Sequence, residues 1–334
     1  MKCTRRENTT FELFRRSFYR KLKDEKPVEH QVAITEIKNF WETMWNKRQD
    51  ISEGAGLDTY LVEHLSGEEP LNVFPTFEEF QEVVKWLPNW KAAGSDGIFN
   101  FFIKKFEATH LYLYEAIRRI CLENQIEKCW FYKGITYLIP KDNPTKGSDF
   151  RPITCMSNLY KLTTKCVTKV MQSIVENREL LAENQLGTVR MVQGAKEQAL
   201  LDLAINKAYG NKLKTAWIDV KKAFDSVDHF YLIKCLEKYN FPTWILNFLK
   251  SIISKCKLSI GSGSELILKK SVERGILQGD SLSPLLFVLC IDPLRRQLNG
   301  LFQKVNIPTD SGMYITNHLL FVDDLKLMAE TPIK

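Results

Sequence analysis

Acidic side chains occur at two positions where they could carry chemistry. Asp219 closes the apolar run AWID, and Asp323 and Asp324 follow the apolar run HLLFV. Like charges brought together in a cleft are unfavourable unless a cation lies between them. Three carboxylates at strand ends therefore predict a pair of divalent metal ions. Such a pair serves phosphoryl or nucleotidyl transfer, in which the metals stabilise the attacking and leaving oxygens.

Each acidic position also has an ordinary structural interpretation. A single aspartate at a strand end is more often a cap or turn residue, and an Asp-Asp dipeptide is common in hairpin turns. The pattern becomes specific because a glycine loop, RGILQGDSLSP (274–284), lies between the two acidic positions. All three features in this order are improbable by chance.

The elements around these residues predict an α+β fold, with an antiparallel sheet backed by helices. From residue 213 the pattern indicates a buried strand (KTAWIDV), two helices, a strand pair around GSGS, a helix at 283–299 and a final strand pair whose turn carries the acidic dipeptide. Asp228 is the predicted cap of the first helix. Upstream, residues 133–141 and 150–155 predict a hairpin, and residues 158–175 and 195–208 predict helices.

The N-terminal third is less specific. Residues 1–27 look helical and carry nine Lys or Arg against four Asp or Glu, which accounts for +5 of the net charge of +7. Such an arm suits a polyanionic partner such as nucleic acid, and equally a solvated tail. Thr76 and Glu79 form a predicted capping box, and SEGAGLD (52–58) a predicted loop.

Composition narrows the class of protein. A chain of 334 residues with 44% hydrophobic and 26% charged residues can bury a core, and no apolar run reaches the 18 residues needed to cross a membrane. The N-terminus lacks the apolar segment of a secretory signal, so we expect an intracellular protein. Eight scattered cysteines without a CxxC pair, and five histidines without ligand spacing, argue against disulfides and a zinc module.

Taken together, the motifs carry a family resemblance. AWIDVKKAFDSV, RGILQGDSLSPLLF and FVDD resemble the three palm motifs of reverse transcriptases, above all those of non-LTR (LINE-type) retrotransposons. LIPKDNP, FRPITCMSNLYKLTTKCV and ENQLGTVRMVQGAKEQALLD resemble the finger and early palm blocks, and NWKAAGSDGIFNFFIKKF a KAPGPDGI-type segment. The resemblance covers about residues 70–330. KAAGSDG departs from it where proline is usual, which bears on template handling.

The resemblance implies a set of metal ligands. Asp219, Asp323 and Asp324 match the metal-binding carboxylates, and the main-chain carbonyl of Val220 would be a further ligand. The implied cofactor is a pair of Mg²⁺ ions, with Mn²⁺ as a substitute.

The resemblance also implies nucleotide contacts. Lys141 and Arg151 match cations that bind the triphosphate, and Phe224 matches the side chain beneath the incoming sugar. Gln278 and Gly279 match the loop beneath the nascent base pair. The structural alternatives are a solvated hairpin tip for the two cations and a core position for Phe224. The neighbouring Asp225 is predicted to cap a turn.

The implied molecule is a right-hand polymerase fragment. It would have a basic helical extension (1–69), fingers and early palm (70–212) and a palm with a ferredoxin-like core (213–334), the reverse transcriptase domain spanning about 120–334 and the thumb missing. It would add dNTPs to a DNA primer on an RNA template, in the nucleus or cytoplasm and without a membrane. Two alternatives stay open: a truncated remnant that only binds nucleic acid, and a group II intron-type maturase, against which KAAGSDG and LQGDSLSP argue.

Overall fold

The computed structural model of the protein describes residues 32–46, 55–65, 74–123, 129–141, 143–181, 194–262, 265–301, 304–309 and 312–330. The predicted basic helix within 1–27 and most of the block ENQLGTVRMVQG lie outside these residues. The first half of the described chain contains α1 (Ile34–Met44), α2 (Ala55–His64), α3 (Phe77–Lys85), α4 (Asn100–Lys105), α5 (His110–Leu122), β1 (Lys133–Pro140), β2 (Phe150–Met156), α6 (Asn158–Asn177) and α7 (Gly194–Tyr209).

The second half contains the elements that carry the acidic residues. They are β3 (Lys214–Asp219), α8 (Ala223–Ser226), α9 (His229–Lys238), α10 (Thr243–Lys255), β4 (Lys257–Ser262), β5 (Glu265–Ser271), α11 (Ser283–Leu301), β6 (Val305–Thr309), β7 (Gly312–Thr316), β8 (His318–Phe321) and β9 (Asp324–Ala329). The predicted hairpins and helices from residue 133 onward are confirmed, whereas the hairpin of β6 and β7 was not predicted.

The strands form three sheets in the described residues. One has the order β2-β1-β4-β5, the second β3-β9-β8, and the third is the β6–β7 hairpin. β1 pairs antiparallel with β2 and parallel with β4. The predicted ferredoxin-like core, which needs the strands of 213–334 in one sheet, is therefore wrong here. Instead, β4 of the β4–β5 hairpin pairs with one edge of β1, since β2 occupies only the other edge.

Local sequence accounts for several helix ends. The predicted capping box is present, since Thr76 accepts a hydrogen bond from the Glu79 amide and Glu79 accepts one from Thr76. Asp228 caps α9 by accepting from the amide of Tyr231 at 2.9 Å. The loop predicted at 52–58 is wrong in part, because α2 begins at Ala55. Tertiary packing outweighs the low helix propensity of its glycine, since Leu61 is fully buried.

The strand β3 differs from the buried strand that its composition predicts. Trp217 is 69% exposed and Ile218 43% exposed. β3 lies at the edge of its sheet and pairs with β9 there. Apolar residues indicate a strand but do not tell how many of its faces are covered. The Lys326 ammonium lies over the exposed Trp217 indole, 4.9 Å from the ring centroid.

The main core joins the N-terminal helix to the rest of the described chain. Trp41 of α1, Phe150 of β2 and Phe248 of α10 are fully buried and belong to one cluster. At the end of α1, the main-chain oxygen of Trp45 accepts from the amide of Glu273, just after β5. A smaller cluster packs α7 against the β8–β9 hairpin through Ile205 and Met328. Helix α1 thus packs against the part of the fold that contains residues 219–280.

Candidate active site

Antiparallel pairing brings the predicted carboxylates to one end of a sheet. Asp219, the last residue of β3, lies directly opposite Asp324, the first residue of β9. Opposite residues of such a pair have Cα atoms about 4.5–5.5 Å apart. Asp323 belongs to the two-residue turn between β8 and β9, beside both of them. The structure thus brings together all three acidic residues on which the metal prediction depends.

The turn that carries Asp323 has an unusual backbone. Val322 adopts a φ of +58°, in the left-handed region that β-branched residues rarely occupy. Such a conformation costs on the order of 1–3 kcal/mol and persists where the surrounding structure fixes it. Here the pairing of Phe321 with Asp324 closes the turn, and the Val322 side chain packs against the main core. Packing therefore fixes the position of Asp323.

Asp323 lies in an environment that disfavours its charged form. Burial raises the pKa of Asp323, and the carboxylates of Asp324 and Asp219 raise it further, against a main-chain hydrogen bond that lowers it. The cluster thus carries a surplus of negative charge that a cation would relieve. Its donors are all oxygens, which suits a hard divalent ion such as Mg²⁺.

The carboxylates are not already arranged as a chelate. In the ranges that the structure describes, no three His, Cys, Asp or Glu side chains form a group that could hold a metal ion. The donor chemistry and the charge of the cluster fit a divalent cation. The side-chain geometry would have to adjust on binding.

Phe224, five residues after Asp219 in the sequence, is held in place by an aromatic partner. Its ring stacks on Phe287 of α11, with centroids 5.2 Å apart and planes 10° from parallel. Its main-chain oxygen accepts from the amide of Ile276 at 2.8 Å, which ties α8 to the glycine loop. Val220, between β3 and α8, is half-buried and packs against the main core.

The cations Lys141 and Arg151 are exposed at the β1–β2 turn, where Arg151 pairs with Ile139. The charges of both side chains affect Lys222, which lies in the segment after β3. Burial lowers the pKa of Lys222 to about 8, Asp225 opposes this shift, and the charges of Lys141 and Arg151 add to it. Lys222 donates to the main-chain oxygen of Phe150 at 2.6 Å. Three cations, Lys141, Arg151 and Lys222, are therefore close enough to influence one another on this side of β2.

The glycine loop lies against β2 and needs a glycine at the point of contact. The amide of Thr154 donates to the main-chain oxygen of Gln278 at 2.8 Å. Gly279 has a φ of +109°, and a Cβ on it would lie 2.9 Å from the Thr154 oxygen. Any other residue would be strained and too close. Gln278 and Gly279 are thereby fixed between β2 and α8.

A family comparison decides what this arrangement belongs to. Residues 139–334, more than half of the chain, match the family model described as "Reverse transcriptase (RNA-dependent DNA polymerase)". The chain belongs to the reverse transcriptase family.

Individual relatives of this reverse transcriptase chain are proteins of retrotransposons. It is 30% identical over 262 residues to a retrovirus-related Pol polyprotein from the type-1 retrotransposable element R2 of Popillia japonica, covering 77% of this chain. It is 28% identical over 217 residues (63% of this chain) to a probable RNA-directed DNA polymerase from transposon BS of Drosophila melanogaster. It is also 26% identical over 301 residues, 86% of this chain, to the transposon TX1 uncharacterized 149 kDa protein of Xenopus laevis.

The matched part is a modest share of these relatives. It spans 35% of the R2 polyprotein, 24% of the BS polymerase and 21% of the TX1 protein. Within the described ranges of this reverse transcriptase chain, no helix is long and apolar enough to span a bilayer.

Sequence reasoning missed two residues beside the reverse transcriptase site. Asp225 was expected to cap a turn, but it is 1% exposed and its carboxylate accepts from the side chains of Trp45 and Gln278. Lys222 has its ammonium 4.6 Å from the ring centroid of Trp41. The only local signal was their position next to Phe224, because both aromatic partners lie about 180 residues upstream. The roles assigned to the three carboxylates, to Val220, to Phe224 and to the other nucleotide contacts stay predictions.

Proposed function

We propose that this chain is the RNA-directed DNA polymerase segment of a non-LTR retrotransposon protein, using an RNA template, a DNA primer and dNTPs. The observation that carries the proposal is the meeting of Asp219, Asp323 and Asp324 at one end of the β3-β9-β8 sheet. Family membership supports the reaction class, and the names of the R2 and BS relatives support the type of element.

The carboxylates would hold two divalent ions, together with the main-chain carbonyl of Val220. When bound, these ions would make the primer 3′-hydroxyl more acidic and neutralise the charge of the triphosphate. The chain's own contribution is to keep three acids together at a strand end and turn. Burial raises the pKa of Asp323, and the charges of Asp324 and Asp219 raise it further, so a cation bound there would be favourable.

The nucleotide would lie between the β1–β2 turn and the glycine loop. Arg151 offers a planar fork and Lys141 a point charge for the triphosphate. The Phe224 ring, immobilised on Phe287, would leave no room for a 2′-hydroxyl. Gln278 would contact the nascent base pair, and Gly279 would allow a close main-chain approach.

The proposed architecture assigns fingers and early palm to residues 70–212 and palm to residues 213–334, behind an N-terminal extension (1–69). The reverse transcriptase domain would span about 120–334. The proposed location is the nucleus or cytoplasm, where an RNA template and a DNA primer meet. The net charge of +7 supports a polyanionic partner.

Primer extension on poly(rA)/oligo(dT) with Mg²⁺ tests the proposal. We expect extension by the wild-type chain and a loss of about 10³-fold or more in Asp323→Ala, because the charge-stabilising group is removed. Asp58→Asn is the matched control, since Asp58 is an exposed carboxylate paired with Lys234 and Lys238. Filter binding of primer–template without any extension would instead favour the nucleic-acid-binding remnant.

A further inference from the structure

A buried carboxylate outside the metal cluster touches the glycine loop. Asp225 of α8 is 1% exposed. Its Oδ2 accepts from the side-chain amide of Gln278 at 2.9 Å, and its Oδ1 accepts from the indole Nε1 of Trp45 at 3.1 Å. Each carboxylate oxygen therefore has its own donor, and the two donors come from elements far apart in sequence.

This contact decides which way the Gln278 amide faces. An ionised carboxylate only accepts hydrogen bonds, so the amide nitrogen, and not the amide oxygen, must point at Asp225. The Gln278 oxygen then lies on the opposite side of the amide group. The main chain of Gln278 is fixed separately, because its main-chain oxygen accepts a hydrogen bond from the amide of Thr154. Both the backbone and the side chain of Gln278 are thus oriented by named partners.

The loop is also joined closely to the main chain of α8. A Cβ on Gly275, whose φ is +91°, would lie 2.9 Å from the Cα and the main-chain oxygen of Asp225. The Gly275 amide donates to Val227 at 2.8 Å, and Arg274 Nε donates to the oxygen of Ser226 at 3.1 Å. Any displacement of Asp225 would therefore move the start of the loop as well as the Gln278 amide.

The position is costly for an acid. Burial raises the pKa of Asp225 to about 6, opposed by its two hydrogen bonds and by the charges of Lys222 and Arg274. A buried charge is tolerated when its hydrogen bonds are satisfied, and a buried donor left without a partner is penalised. Removing the carboxylate would leave the Trp45 and Gln278 donors without their acceptor.

We propose that Asp225 is a positioning residue of the nucleotide pocket, which orients the Gln278 amide and couples it to Trp45 at the end of helix α1. The proposal rests on the proposed function, because Gln278 matters only if a nucleotide lies beside it. It adds that α1, outside residues 139–334 that match the family, contributes to the site. Asp225 acts through Gln278 and does not itself contact the nucleotide.

A double-mutant cycle in the 334-residue chain tests the coupling by steady-state primer extension. Asp225→Asn puts an amide nitrogen opposite one of the two donors, so we expect the KM for dTTP to rise about tenfold while kcat changes less than threefold. Gln278→Ala should raise the KM by a similar factor. The double variant should show no further rise beyond about twofold, because both substitutions remove one interaction.

Two further variants separate positioning from general support of the fold. Trp45→Phe keeps an aromatic ring but removes the indole donor, and we expect a smaller rise in the KM, about threefold. Asp228→Asn is the matched control three residues away, because asparagine caps a helix as well as aspartate does. Its KM should be unchanged. Multiplied effects of Asp225→Asn and Gln278→Ala, or an unchanged KM in Asp225→Asn, would overturn the proposal.

An NMR readout keeps the inference testable should the chain not extend primers at all, a result that would count against the proposed function alone. In ¹⁵N spectra of the chain, the indole signal of Trp45, identified by its absence in Trp45→Phe, should shift in Asp225→Asn. The Gln278 side-chain amide signal, identified through Gln278→Ala, should shift as well. Neither should shift in Asp228→Asn. Unmoved Gln278 signals in Asp225→Asn would refute the positioning role, whatever the polymerase activity.

Discussion

Phe224 is kept in place by stacking as well as by partial burial. The near-parallel ring of Phe287 supports it from α11, and its main-chain oxygen is bonded to Ile276 of the glycine loop. A ring fixed on one face cannot turn away easily from a group that approaches its other face. This rigidity is what a side chain that excludes a 2′-hydroxyl requires.

Shortening that ring is expected to change the choice of sugar. Phe224→Val removes most of the bulk, so we expect the preference for dTTP over UTP, measured as the ratio of kcat/KM, to fall by about 10²-fold. Phe287→Leu removes the supporting ring and leaves Phe224 intact, so we expect the ratio to fall in this variant as well, but by less than in Phe224→Val. An unchanged ratio in Phe224→Val would show that the ring does not lie beneath the sugar.

Asp225 gives a pH dependence whose sign is fixed. Its pKa is about 6 in the folded chain against 3.8 for an ordinary aspartate carboxyl, so the folded state binds the proton more tightly. The contribution favours folding fully below pH 3.8 and is lost as pH rises through 6. The unfolding free energy of the wild type relative to Asp225→Asn should therefore fall by about 2 kcal/mol between pH 4 and pH 7. Urea unfolding at a series of pH values measures it, and a constant difference would contradict it.

At the scale of elements, the glycine loop (274–284) joins the residues proposed to bind the nucleotide to the rest of the fold. It bonds to α8 at one end and to β2 in its middle, and α11 begins at its last residues. The β8–β9 hairpin has the corresponding position for the proposed metal site, since its turn carries Asp323. Both are short connections that packed elements constrain at each end.

A glycine substitution tests how closely the loop must approach β2. Gly279→Ala places a Cβ 2.9 Å from the Thr154 oxygen at a φ of +109°, so we expect a loss of at least about 1 kcal/mol in stability and a rise of about tenfold in the KM for dTTP. Gly56→Ala on α2 is the matched control, because its Cβ meets open space and alanine should stabilise the helix by about 0.5–1 kcal/mol. Thermal unfolding and primer extension measure both. Equal behaviour of the two variants would contradict the close approach.

Elements were predictable where their signals are local. Residues within a few positions of one another were enough to predict the helix caps at Thr76 and Asp228, the β1–β2 hairpin and the acidic turn. The parallel pairing of β1 with β4 did not follow, because strand partners far apart in sequence leave no local pattern. Exposure of β3 was missed for the same reason, since AWID describes a strand and not its neighbours.

At the scale of the whole molecule, the site depends on contacts between distant parts of the chain. The Trp45–Asp225 bond joins positions 180 apart, and the Glu36 carboxylate accepts from the amide of Gly147, 111 positions away. The three carboxylates could be chosen from sequence because family motifs mark them. Asp225 could not be chosen in this way, since its contact with Trp45 forms only when α1 packs against the rest of the fold.

The central claim is that Asp219, Asp323 and Asp324 act as one metal-binding unit. Single-turnover incorporation of one dTTP on poly(rA)/oligo(dT) with Mg²⁺ tests it in Asp219→Ala, Asp323→Ala and the double variant. We expect each to lose about 10³-fold or more in rate, the double variant to lose no more than about tenfold beyond either, and primer–template binding to stay within about threefold of wild type. Losses that multiply in the double variant, or near-normal incorporation by either single variant, would contradict the claim.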